Sequence, residues 1–262
     1  MNPTTVPPAA PDDRARFYAA DAAWYVKQLP LEHFMESTAQ ATQRKVTLES
    51  FDVIAAERPE VQCFNELLVQ YPAAGQKHPA RVVPDNFIVL HPTPLGSLTS
   101  FAVELQPARP YFVLEYVSKH NPRKDYEDNL VRYEQSLRVP YYLVFYPDNE
   151  ELTLFRLVGG KYQTVHANAA GRYAVPELEL EVALLDGWVR FWFRGALVPL
   201  PAELQARFRA EREARAAAER GRDAAERGRA VAERERDAEK AARESLEAEL
   251  ARLRAQLGGQ PG

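Results

Sequence analysis

With 262 residues, 46% of them apolar, and 12 Phe, 12 Tyr and 3 Trp, the chain has the length for one good-sized domain plus an appendage, or two small domains, and the stock for a real core. Its single cysteine, Cys63, excludes an intrachain disulfide and fits a reducing compartment, and its five histidines lack ligand spacing, which argues against zinc. No apolar run approaches the roughly 20 residues of a membrane span and no signal-peptide apolar region opens the chain, so a cytoplasmic protein is expected.

The net charge of −4 is unevenly spread. Of 33 Lys and Arg and 37 Asp and Glu, residues 203–257 hold 14 and 13, which leaves 19 and 24 for the rest. A net-acidic body is a poor avid, non-specific binder of DNA, because such binding rests on neutralising phosphates. A local basic patch remains compatible with it.

In chain order, residues 1–13 (MNPTTVPPAAPDD) are Pro-rich and polar and are expected to be disordered. Residues 17–29 read as a helix with Phe17, Trp24, Tyr25 and Leu29 as core contacts. Residues 36–56 have a helical pattern whose apolar positions, Val46 to Ile54, gather in its second half, and Pro59 stops it. Residues 63–71 read as the first strand. It carries Glu66, either an acid near a site or an edge residue facing water.

Residues 82–90 (VVPDNFIVL) and 111–117 are apolar runs bounded by Pro and polar loops, the pattern of buried strands. Each contains one carboxylate, Asp85 and Glu115. A carboxylate in such a run is costly unless it is paired, hydrogen-bonded or on a metal. Two of them converging at the ends of neighbouring strands suit a hard divalent cation, magnesium first. The second run alternates little, as in a central strand buried on both faces. Between the two runs, residues 97–103 hold a short pairing segment.

The loop 118–124 (SKHNPRK) places Lys119, His120, Arg123 and Lys124 just after Glu115. Contact with phosphate and a solvated loop are both open readings. Asp125 can cap the following helix, 125–137. Tyr126, Leu130, Tyr133 and Leu137 form its buried face, and Asp125, Asn129 and Arg132 share a neighbouring one. A strand at 141–145, a hairpin 152–157/161–165 and closing elements at 178–185 and 189–193 complete the body, with Trp188 and Trp192 as packing residues.

The ordered set Pro84-Asp85, then Glu115-x-x-Ser118, then Asp125 with Tyr133 eight residues on, then the V-P-Y-Y-L strand at 139–143, resembles the Uma-type restriction-endonuclease family of the PD-(D/E)XK nuclease superfamily. The likeness covers residues 30–200, most clearly 82–157. It implies an α/β (α+β) fold: a restriction-endonuclease-like mixed β-sheet core flanked by helices, over 14–200. It implies a Mg2+- or Mn2+-dependent endonuclease acting on nucleic acid, DNA before RNA, with Asp85 and Glu115 on the metal. By the same analogy Glu36, on an early helix, is a further candidate ligand; a solvated helix start is the competing reading. One departure stands out. The family's Lys between the helix Asp and Tyr is Asn129 here, and the superfamily's other Lys position, two residues after the Glu, is Val117. Lys119, Lys124 or Arg132 are the candidates to supply the missing cation beside Asp125 and Asn129.

Beyond Pro201, Ala, Arg and Glu dominate, and AERGR, AERGR and AERER recur every seven residues from 218. Leu246, Leu250, Leu253 and Leu257 fall at alternating spacings of four and three, a coiled-coil seam. Gly221 and Gly228 weaken the helix upstream by about 1 kcal/mol each relative to Ala. The expectation is a helix over 201–258 that makes a homodimer or higher oligomer. No Gly-x-Ser-x-Gly frame, Walker loop or dinucleotide fingerprint is present, so serine hydrolysis and nucleotide cofactors are not implied. A degenerate nuclease-fold module that binds nucleic acid or protein is the alternative function, favoured by Asn129 and the net-acidic body.

Overall fold

The computed structural model describes residues 13–29, 37–73, 75–96, 98–117 and 128–257, with side chains to 254. Expectations for residues 1–12, Glu36, Lys119, His120, Arg123, Lys124, Asp125, Tyr126 and the Leu257 side chain therefore lie outside the described residues. The chain divides into two units, Met1–Leu200 and Pro201–Gly262.

In the first unit, helices α1 (Asp13–Val26) and α2 (Thr38–Glu57) precede thirteen short strands among the described residues. These are β1 (Val61–Asn65), β2 (Val69–Tyr71), β3 (Ala80–Val82), β4 (Asn86–Leu90), β5 (Phe101–Ala102), β6 (Pro110–Tyr116), β7 (Tyr141–Tyr146), β8 (Glu151–Val158), β9 (Lys161–Thr164), β10 (Tyr173–Val175), β11 (Leu180–Leu185), β12 (Trp188–Phe193) and β13 (Ala196–Leu197). The fold is mixed α/β.

The main sheet has the order β1-β4-β6-β7-β8-β9. Only β6 and β7 in it are parallel, as a strand–helix–strand crossover requires; the other pairs are antiparallel. Strand β6 takes the centre because both of its faces are apolar. Phe112, Leu114 and Tyr116 point into a core shared with Phe51 and Ile54 of α2 and with Val182 and Phe191 of a four-stranded sheet, β10-β11-β12-β13. Val113 and Val117 face the opposite core, with Phe87, Tyr133, Leu137 and Tyr142. The period of two places Glu115 on that second face. Strands β8 and β9 close through Gly159-Gly160, whose φ angles of +60° and +86° suit the tight hairpin turn that glycine makes without a Cβ penalty.

Two sequence expectations are corrected. Residues 63–71 are not one strand: β1 ends at Asn65, Glu66 turns into the left-handed region at φ +46°, and β2 joins a separate sheet, β3-β2-β5. In α1, Phe17 and Trp24 are not core residues but stand 44% and 56% exposed. The helix instead buries Tyr18, Asp21 and Ala22, because Asp21 is the counter-ion of Arg81 on β3 and also accepts from Gln70. Burial works against the Asp21 charge, but the bonds from Arg81 and Gln70 outweigh it and hold the carboxyl below its usual range. A buried carboxylate must be paired, so the helix rolls to bring Asp21 onto the half-buried Arg81. The rings of Phe17 and Trp24 stack on His78 instead.

Helix α2 starts with a capping box: Ser37 Oγ accepts the Gln40 N–H at 3.1 Å, and Gln40 Oε1 accepts the Ser37 N–H at 3.2 Å. One turn on, Gln43 is fully buried and completes a strand. Val189 pairs with Leu184 on one side, and on the other its N–H donates to Gln43 Oε1 at 2.9 Å while its carbonyl accepts from Gln43 Nε2 at 3.1 Å. In the second unit, α3 (Pro201–Leu257) is a 57-residue helix, about 85 Å long at 1.5 Å per residue, with Leu246, Leu250 and Leu253 more than half exposed.

Gln43→Ala strands two buried backbone groups of Val189, and we expect it to cost about 2–4 kcal/mol, read as a lower urea midpoint at unchanged slope. Lys45→Ala, which loses only an exposed pair to Glu49 at 3.7 Å, should stay within about 0.5 kcal/mol. Equal midpoints for the two variants would show that Gln43 does not carry the α2–β12 contact.

Candidate active site

The ends of β4 and β6 bring two carboxylates together. Asp85 immediately precedes β4, and Asn86 lies opposite Leu114, so Asp85 reaches the end of β6 where Glu115 and Tyr116 sit. The Tyr116 N–H donates to Asp85 Oδ2 at 2.6 Å, and the Asp85 N–H donates to Glu115 Oε2 at 3.3 Å. Each acid is thus oriented by backbone at the root of the other. They differ in environment: Asp85 is half-buried, while Glu115 is only 2% exposed.

Residues 128–137 supply two further partners of Glu115. Asn129 and Tyr133 are one turn apart and fully buried on the same side. Asn129 Nδ2 donates to Glu115 Oε1 at 3.1 Å, and the Tyr133 hydroxyl donates to the same oxygen at 2.5 Å, the length of a charge-assisted bond. The helix widens into a π-helical turn at Arg132–Leu137, closed by Arg138 in the left-handed conformation, a distortion that recurs at functional sites. Burial first, and then the charge of Glu115, push the Tyr133 hydroxyl well above its ordinary pKa, so it stays a donor at any physiological pH. Burial, together with the charges of Asp148 and Asp85, raises Tyr116 as well.

Asn129 is fully buried on the face it shares with Arg132. Its Oδ1 accepts from Arg132 Nη1 at 3.0 Å, so the amide bridges a guanidinium to Glu115. Arg132 is the sequence-stated candidate cation that falls among the described residues, and it reaches Glu115 only through Asn129. Val117 is buried and donates its N–H to the Phe145 carbonyl.

On the other side of Asp85 a pocket opens against α2, lined by Gln40, Arg44, Glu66, Asp85, Asn86 and Tyr116, among others. Glu66 is brought there because its N–H donates to the Asp85 carbonyl at 3.2 Å. Arg44 Nη1 pairs with Glu66 at 2.8 Å. Sequence reasoning reached Glu66 but missed Arg44, Asn86 and the bond of Tyr133 to Glu115. The signal for Arg44 was the run of polar residues Gln40, Gln43 and Arg44 on the first half of α2; Tyr133 was hidden among the apolar positions of its helix.

Among the described residues no three His, Cys, Asp or Glu side chains converge as a metal cage. Asp85 and Glu115 are nevertheless a donor set that magnesium accepts, since it is commonly held by one or two carboxylates with water and substrate phosphates completing its shell.

Two acids thus stand at adjoining strand ends of a mixed sheet, one buried and one beside a pocket. The model of the Uma2 family, described as "Putative restriction endonuclease", matches residues 34–186, more than half of the chain, and the chain belongs to that family. The chain is also similar to a solved structure described as a putative nuclease belonging to DUF820 from Anabaena variabilis ATCC 29413, at 13% identity and a TM-score of 0.44, over 57% of this chain and 79% of that one. Among proteins with curated descriptions, none matches.

Tyr133→Phe removes a donor from a buried carboxylate and should cost about 1–3 kcal/mol. In a double-mutant cycle with Glu115→Gln, the summed single effects should exceed the double by about 1 kcal/mol or more in unfolding experiments. Additive effects would show that the two side chains are not coupled.

Proposed function

We propose that this protein is a metal-dependent endonuclease that hydrolyses phosphodiester bonds in nucleic acid, DNA before RNA. The observation that carries this reading is the convergence of Asp85 and Glu115 at the ends of β4 and β6, where Glu115 accepts from the Asp85 N–H and Asp85 accepts from the N–H of Tyr116, the residue after Glu115. Membership in the Uma2 family supports it. Asp85 and Glu115 would hold Mg2+ or Mn2+. A bound ion of this kind lowers the pKa of a water and neutralises charge that grows on phosphate.

The chain's own residues prepare that site. Backbone N–H groups fix both carboxylates, so neither needs to reorganise when charge develops. Tyr133 and Asn129 hold the Glu115 side chain from behind, the supporting role that sets the aim of metal-binding groups. Asn129 is neutral and supplies less electrostatic stabilisation than the Lys it replaces. Lys119, Lys124 and Asp125, with Glu36 as a further metal candidate, belong to this proposal from the sequence alone.

A second reading, a nuclease fold kept for binding nucleic acid or protein, draws on one feature: Glu115 already accepts from three protein donors. Cleavage and calorimetry separate the two. We expect wild type to bind Mg2+ or Mn2+ and to cut DNA. Asp85→Asn or Glu115→Gln should each lower cleavage at least about a hundredfold, close to 3 kcal/mol of barrier, with the fold retained. Unchanged cleavage would remove the acids from the mechanism. No binding and no cleavage by wild type would leave the binding module.

We also propose that α3 assembles the chain. The exposed Leu246, Leu250 and Leu253 support this, since such a stripe on an isolated helix gains from burial against a second copy. Replacing all three by Glu should lower the mass seen in sedimentation without unfolding the first unit. An unaltered mass would exclude this seam.

A further inference from the structure

The cation absent from positions 117 and 129 has a counterpart on the opposite side of Asp85. Arg44 is the one Lys or Arg among the described residues lining the pocket, and its side chain is 30% exposed, partly out of water but still reachable. It is held by Glu66, and Glu66 is held by the Asp85 carbonyl, so the guanidinium is anchored to the candidate metal acid through one residue.

A further observation suits the pocket to an anion. Asn86, 2% exposed, also lines the pocket, and its Nδ2 finds no acceptor among the described residues. A buried amide donor without a partner among the described residues calls for an oxygen acceptor. Arg44 and Asn86 together offer N–H groups beside Asp85, where a phosphodiester oxygen would sit in the proposed reaction. Glu66 does not join Asp85 and Glu115 in a three-residue metal cluster, which leaves its carboxylate to Arg44.

We infer that Arg44 is the phosphate-binding residue of this site and that Glu66 is its positioning residue, aiming the guanidinium and weakening its hold on anions by its own charge. The inference rests on the nuclease reading for the identity of the ligand, but its test does not require cleavage. A fluorescein-labelled DNA oligomer is titrated with full-length wild type, Arg44→Ala, Arg44→Lys and Glu66→Gln at several salt concentrations, without added metal, and each protein's cleavage of the same oligomer is then measured with Mg2+.

Arg44→Ala should weaken binding about tenfold, the loss of one charge-assisted bond, and lower the salt slope by about 0.9, the loss of one phosphate contact. Arg44→Lys should recover most of the slope. Glu66→Gln, which keeps a hydrogen-bond acceptor for Arg44 but removes the negative charge, should bind more tightly than wild type. A bridge that merely ties α2 to β1 predicts something else: both substitutions lower the melting temperature and leave the salt slope alone. That result would overturn the inference, as would wild type failing to bind the oligomer. Wild type that binds with these shifts but never cuts would sink the nuclease reading and leave Arg44 in place; wild type that cuts while Arg44→Ala binds and cuts equally well would do the reverse.

Discussion

Burying Glu115 inside the central strand is the constraint on which the rest of the site depends. A carboxylate at 2% exposure, on a strand apolar on both faces, destabilises the fold by several kcal/mol unless donors meet it. Among the described residues the backbone of Asp85, the amide of Asn129 and the hydroxyl of Tyr133 do so. The first comes from the start of β4 and the other two from one turn of a helix, so satisfying one side chain fixes the register of β4 against β6 and the roll of the helix that follows. The π-helical turn fits this demand, because it lets Tyr133 reach Glu115 while Leu137 still fills the core between β6 and β7.

Helix α2 joins the two halves of the first unit by a division of labour between neighbouring residues. Gln43 turns inward and stands in for a missing strand beside Val189. Arg44, one position on, turns toward the end of the main sheet and meets Glu66. The helix is therefore anchored on the four-stranded sheet by a neutral amide and presents a charge to the pocket. That order is physically reasonable: the amide can be fully buried once both its ends are bonded, whereas a guanidinium keeps part of its surface in water.

How much of this the sequence disclosed follows from the kind of signal involved. An apolar run with little alternation identified β6 as central, and the two-glycine turn fixed the β8–β9 hairpin, because both are local patterns. The pairing of Asp85 with Glu115 was suggested by two acids in apolar runs, since the cost of burying them has to be met somewhere. The break at Glu66 left no mark, because nothing in NEL differs from a strand continuing at its edge. Phe17 and Trp24 misled, since apolar size gives no hint of the Arg81 that the buried Asp21 has to meet. The roles of Gln43, Arg44 and Tyr133 were not legible, because each depends on a partner far along the chain.

The neutral residue at position 129 can be understood from the same electrostatics. A lysine there would be fully buried, and its attraction to Glu115 would have to offset the desolvation of a second ion. An amide gives Glu115 the hydrogen bond without that cost. Its oxygen also accepts from Arg132, which lies half-buried one turn away. Stability of the buried acid is gained, but the positive charge moves away from the point where phosphate charge would grow. On the nuclease reading proposed above, a cation on the open side of Asp85 keeps water to solvate it at rest, and Arg44 lines the pocket on that side.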